Sequence, residues 1–162
     1  MYRRLMYRSR RRKGLNKYNL ENYQCTLTTE KKNNVWSSAA IQIIAPNPSA
    51  GVRKVTSIRG NVSFNQAGSY LVAIIYLPEG FAMNTVSLTT PPSETTGNVY
   101  APSQNVLWFG QLTYPNSTSF RVPISKNLNG GDSIVFAYLP TNGQASATAA
   151  ATVSLSYAIC YR

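Results

Sequence analysis

The side chains with the clearest chemistry are the cations near the start of the chain. Residues 1–17 contain eight Lys and Arg residues and no acid, so they hold +8 of the net charge of +11. These cations are Arg3, Arg4, Arg8, Arg10, Arg11, Arg12, Lys13 and Lys17. Because a like-charged run cannot fold alone, we predict a flexible basic arm over residues 1–19 that binds a polyanion by releasing condensed counterions. Tyr2, Tyr7 and Tyr18 are interspersed among the cations, which suits single-stranded nucleic acid with accessible base faces.

Two other interpretations of the arm stay open. The run Arg10-Arg11-Arg12-Lys13 is typical of a nuclear-localisation signal, and that role is compatible with nucleic-acid binding. A tail that only improves solubility is the third interpretation.

Further cations in the body of the chain could extend the basic surface. The best candidates are Arg53, Lys54 and Arg59, for which an ordinary solvated or interface role is an equal alternative. Arg121 and Lys126 are weaker candidates.

Residues for catalysis and metal binding are scarce. The chain has no His, five acids and two Cys, which excludes Ser-His-acid and Cys-His arrangements. Asp132 follows Gly130-Gly131, and we expect it to cap a turn. Cys25 and Cys160 cannot complete a zinc site, and we expect free thiols, although the two strands that carry them could be neighbours. The sequence predicts no enzyme, no cofactor and no metal.

The composition of the body indicates one folded domain with an unusual surface. The chain has 162 residues, of which 43% are hydrophobic, enough for a sizeable core. The longest apolar run, residues 70–77, is too short to cross a bilayer, and no secretory signal is expected. Only nine charged side chains occur in residues 33–162, about 7% against about 25% in ordinary soluble domains. Either much of this surface is buried against partners, or the solubility of the body rests on uncharged polar residues.

The pattern of the body favours strands. Apolar residues alternate with polar ones around Leu27, around Val62 and over residues 152–161, whereas residues 71–77 and 134–139 are apolar throughout. The alternating segments predict half-buried strands, and the two apolar runs predict central strands. Pro123 predicts an edge strand or a bulge. We therefore predict an all-β, eight-stranded antiparallel jelly-roll sandwich over residues 20–162, with residues 81–98 as a long exposed loop.

Six short segments carry a resemblance in their order along the chain. They are Trp36-Ser37-Ser38-Ala39, Val52-Arg53-Lys54-Val55, Tyr76-Leu77-Pro78-Glu79-Gly80, Val99-Tyr100-Ala101-Pro102-Ser103-Gln104-Asn105-Val106 before Trp108, Ser125-Lys126-Asn127-Leu128-Asn129-Gly130-Gly131-Asp132-Ser133-Ile134 and Tyr157-Ala158-Ile159-Cys160-Tyr161. With the basic arm, this series resembles the capsid proteins of small circular, Rep-encoding single-stranded DNA viruses, the circovirus-like group. The arm and the loops are shorter here than in typical circovirus capsids.

The resemblance implies a self-assembling icosahedral shell of about sixty copies. It also implies packaging of a single-stranded DNA genome, import into the host nucleus through the host import machinery, and an unidentified host receptor. The expected locations are the virion and, during assembly, the host nucleus. Two alternatives remain: a jelly-roll coat protein of a small RNA satellite virus, and a non-viral β-sandwich module that binds polyanions.

Overall fold

The computed structural model describes residues 17–83, 86, 88, 105–116, 118–142 and 147–161. Nine strands and one short 3-10 turn, Pro48–Ala50, occur within these residues. The strands are β1 (Asn19–Lys32), β2 (Val35–Trp36), β3 (Ala39–Ile44), β4 (Arg53–Phe64), β5 (Gly68–Leu77), β6 (Asn105–Tyr114), β7 (Ser119–Leu128), β8 (Ser133–Asn142) and β9 (Thr148–Tyr161).

The strands form two antiparallel sheets that pack face to face. One sheet has the order β2-β1-β9-β4-β7 and the other the order β3-β8-β5-β6. From β3 to β9 the chain crosses between the sheets at every step except β5 to β6, which is the strand order of a jelly roll. The predicted eight-stranded jelly roll is therefore confirmed. The short β2 is an addition that pairs only with β1, through a turn at Asn33 and Asn34, both with positive φ.

The two fully apolar segments form the two central strands of the four-stranded sheet, as predicted. In β5, residues 72–75 are fully buried, and in β8, residues 134–139 are fully buried. Val86 and Leu88, from the connection that follows β5, are buried with the same core. The Leu88 backbone N–H also donates to Ser38 Oγ at 3.3 Å. Residues 81–98 were predicted to form an exposed loop, so the burial of Val86 and Leu88 differs from the prediction, whereas Phe81 is exposed as expected. Most of residues 81–98 lie outside the described residues.

The alternating strands bury the predicted faces, with one correction at the end of β9. Val153, Leu155 and Ile159 point into the core, but Tyr161, predicted on the same face, is 47% exposed. Tyr161 lies at the margin of the sandwich, where its hydroxyl donates to Glu21 Oε1 at 3.0 Å and so faces a polar partner.

The strand that contains Pro123 is an edge strand and also has an irregular register, the two features that the proline predicted. β7 is the edge of the five-stranded sheet and pairs only with β4. The register between β4 and β7 shifts beside Pro123, at Ser57, which has a φ of 57°. A proline has no N–H to donate, so an edge strand with an irregular register accommodates it.

The two cysteines are free thiols, as expected. β1 and β9 are neighbours, but Cys25 is opposite Val153, seven positions from Cys160. At about 3.3 Å per residue this separates the two cysteines by about 23 Å, so the register prevents a disulfide.

Candidate nucleic-acid interface

The basic arm joins the sandwich beside the end of β9. Arg3, Arg4, Arg8, Arg10, Arg11, Arg12 and Lys13 lie outside the described residues. Lys17 is described and exposed, two positions before β1 begins. Asn19 is opposite Ile159 in register, and Ile159 is in turn opposite Val55 of β4. The arm is therefore attached at the end of the sandwich where β4 begins and β9 ends.

Lys54 and Arg59 extend along the outer face of the five-stranded sheet. Lys54 is half-buried and opposite Asn127 of β7 and Cys160 of β9. Arg59 is exposed and opposite Arg121 of β7 on one side and Ser156 of β9 on the other. Both residues thus remain candidates for a basic surface.

Arg53 does not belong to that surface, which corrects the prediction made for it. The side chain is only 3% exposed, and its guanidinium donates to the backbone carbonyls of Ala45 at 2.8 Å, Asp132 at 3.0 Å and Asn129 at 3.5 Å. Its Nε is buried without a partner. Arg53 therefore ties three loop carbonyls together in the interior, where nucleic acid cannot reach it.

Asp132 acts as the predicted turn cap. It is 2% exposed, and its carboxylate accepts the backbone N–H of Asn129 at 2.7 Å and that of Glu79 at 3.1 Å. The first bond closes the turn before β8, and the second anchors the segment that follows β5. A charged acceptor is well suited to these N–H groups because charge-assisted hydrogen bonds are strong.

Replacement of Asp132 by alanine is expected to lower the free energy of unfolding by about 3 kcal/mol, since two partly buried N–H donors lose their acceptor. Asp132→Asn keeps one acceptor oxygen and should give about half that loss. Thermal unfolding followed by circular dichroism measures both. Glu30→Ala, at an exposed carboxylate on β1, is the matched control and should change little. Equal melting temperatures for Asp132→Ala and Glu30→Ala would contradict this role.

A cluster of two tyrosines and one acid lies near Arg53 and escaped the sequence analysis. Tyr157 donates to Glu21 Oε2 at 2.8 Å, and Tyr161 donates to Glu21 Oε1. Burial, followed by the hydrogen bond to Glu21 and the charge of that carboxylate, raises the pKa of both phenols. Tyr157 and Glu21 are opposite each other in register, and only knowledge of the β1–β9 register could have predicted this contact.

Lys126 and the two tryptophans make contacts within the domain. Lys126, a weak candidate, has its Nζ 3.8 Å from the ring centre of Tyr76, a cation–π arrangement. Trp36 is buried, and Trp108 stacks on Phe120 with ring centres 5.0 Å apart. Both tryptophans therefore pack within the domain.

A shallow depression lies on the outer face of the five-stranded sheet. Its volume is about 520 Å³, and its lining includes Asn22, Gln24, Arg59, Asn61 and Ser156. Apart from Arg59 these polar side chains are uncharged, and they come from β1, β9 and β4. The depression can offer hydrogen bonds and one positive charge to a ligand.

The described residues contain no group of three or more Cys, Asp or Glu that could hold a metal ion. No helix in this part of the chain is long and apolar enough to cross a membrane.

Comparisons with known proteins show similarity to solved structures. No known family profile matches the chain, and no curated protein matches it. Among solved structures, it is similar to a chain in "CryoEM structure of Mud Crab Dicistrovirus", with 13% sequence identity and a TM-score of 0.43. The similarity covers 88% of this chain and 70% of that chain. The jelly-roll assignment rests on the strand order and register described above.

Proposed function

We propose that the chain is the coat protein of a small icosahedral virus and has a structural and nucleic-acid-binding role, not a catalytic one. The observation that carries the proposal is the union of a jelly roll with an arm of eight cations on a body that has few charges. The arm supplies a polyanion-binding element. The body carries few charges, so copies of it repel one another little and can pack together.

Exposed apolar side chains support contacts between subunits. Leu20 is 71% exposed and Phe81 is 54% exposed, and Val52, Met83 and Tyr161 are also exposed. All five lie at one end of the sandwich, near the start of β1 and β4 and the end of β5 and β9. Such a cluster suits an interface core because apolar surface gains most from being covered.

The finer form of the proposal follows the circovirus-like resemblance. About sixty copies form the simplest icosahedral shell, and their arms bind a single-stranded DNA genome. The run Arg10-Arg11-Arg12-Lys13 directs the protein to the host nucleus for assembly. The binding is electrostatic and independent of base sequence, since nothing in the arm requires base-edge recognition.

Light scattering of purified full-length protein after nuclease treatment tests the shell. We expect a species of about 1.1 MDa, which is sixty times the 17.8 kDa chain. Nucleic acid extracted from these particles should be digested by DNase and by single-strand nuclease, whereas digestion by RNase would favour an RNA virus. A folded species of one to three chains would contradict the coat-protein proposal and favour a polyanion-binding module.

A further inference from the structure

Two cations face each other on the five-stranded sheet without an acid between them. Arg59 of β4 is directly opposite Arg121 of β7, and both side chains are exposed. Like charges directly opposite each other on one face of a sheet destabilise the pairing of the strands. The pair therefore needs a counter-charge from elsewhere.

The four carboxylates that the structure describes do not supply that counter-charge. Glu21 accepts the hydroxyls of Tyr157 and Tyr161, and Asp132 accepts two backbone N–H groups. Glu79 packs against Gly131 at the end of the sandwich. Glu30 is opposite Thr148, eight positions along β1 from the row that contains Arg59, or about 26 Å away.

The surroundings of the pair are polar and neutral. One row across the sheet reads Asn22, Ser156, Arg59 and Arg121 in register, and the next reads Gln24, Ser154, Asn61 and Ser119. The first three residues of each row line the depression. Amides and hydroxyls at this spacing provide donors and acceptors, while the two guanidinium groups provide positive charge at one side of the depression.

We propose that Arg59 and Arg121 together bind one phosphate of a single-stranded nucleic acid that lies across β7, β4 and β9. The inference rests on the proposed function and adds a second contact site to the arm. A phosphate between two guanidinium groups accepts bidentate hydrogen bonds from each and removes their mutual repulsion. The neighbouring amides and hydroxyls of the depression then contact sugar and base edges of any sequence.

Binding of a fluorescent oligothymidylate of about 12 nucleotides to the full-length chain tests the site by anisotropy. The variant is Arg59→Gln with Arg121→Gln, and the matched control is Lys31→Gln with Lys32→Gln, two exposed cations at the far end of β1. We expect the Arg variant to weaken binding about tenfold at 0.15 M salt. For the Arg variant, the slope of log K against log salt should become about 0.7 shallower. The affinity of the Lys control should stay within about twofold of the wild-type affinity.

The melting temperatures of the same proteins separate binding from structure. Relief of the repulsion should leave the Arg variant at least as stable as the Lys control without nucleic acid. Weaker binding together with a lower melting temperature would assign the pair a structural role and overturn the inference. Equal affinities of the two variants would overturn this inference but not the proposed function. A wild-type chain that does not bind the oligonucleotide would overturn both.

Discussion

Replacement of Arg53 by methionine is expected to lower the melting temperature by about 6–12 °C. Methionine fills a similar volume but leaves the carbonyls of Ala45, Asn129 and Asp132 without their common donor. Loss of hydrogen bonds from a charged donor to one buried and two part-buried carbonyls costs about 3 kcal/mol here. Each kcal/mol shifts the melting temperature of a domain this size by about 2–4 °C. Differential scanning calorimetry of the purified chain measures the shift.

The control for this prediction is the same substitution at an exposed position. Arg59→Met removes an identical side chain from the outer face of the sheet and should change stability by less than about 0.5 kcal/mol. Arg53→Lys keeps the charge but cannot bridge three carbonyls, so it should lie between wild type and Arg53→Met. Equal melting temperatures for Arg53→Met and Arg59→Met would show that the three contacts do not stabilise the fold.

Neutralisation of the arm should nearly abolish the salt dependence of nucleic-acid binding. With about eight phosphates neutralised per arm, the slope of log K against log salt is near −6 for single strands. Substitution of serine for the seven cations within residues 3–13 should make the slope about 5 units shallower. At low salt this corresponds to an affinity loss of more than about a thousandfold, which filter binding over a salt series measures.

The matched control is an arm with the same residues in scrambled order. Electrostatic binding depends on the number of charges, so the scrambled arm should retain the wild-type slope, and loss of that slope would indicate sequence-dependent recognition. If the scramble disperses Arg10-Arg11-Arg12-Lys13, it should also reduce nuclear accumulation of a fluorescent fusion. Binding and import are thereby measured separately in one variant.

The sequence predicted the fold well because strand periodicity is a local property. Alternation around Leu27 and Val62, the apolar run of β8 and the interruption at Pro123 each identified a strand or its place in a sheet. The sequence predicted one strand over residues 35–45, and its division into β2 and β3 was missed because β2 has only two residues, too few for a periodic signal of its own.

The candidate site was predicted less well because it depends on register. Arg59 and Arg121 are 62 positions apart, and no local pattern shows that they are directly opposite each other. Arg53 and Lys54 are adjacent in sequence and were predicted to belong to the same basic surface, but successive side chains of a strand point to opposite faces. The loop carbonyls that bind Arg53 come from positions 45, 129 and 132, which only the tertiary fold brings together.

The position of β9 has a consequence for the time at which the five-stranded sheet can form. Among the described strands, β9 is the last in sequence, yet it lies between β1 and β4. Until β9 leaves the ribosome, β1 has only the two-residue β2 as a sheet partner, and the depression lacks Ser154 and Ser156. Pairing between such distant segments is slow, because the loop entropy is lost before the contacts form. The outer face of the five-stranded sheet is therefore completed only after β9 has been synthesised and has paired with β1 and β4.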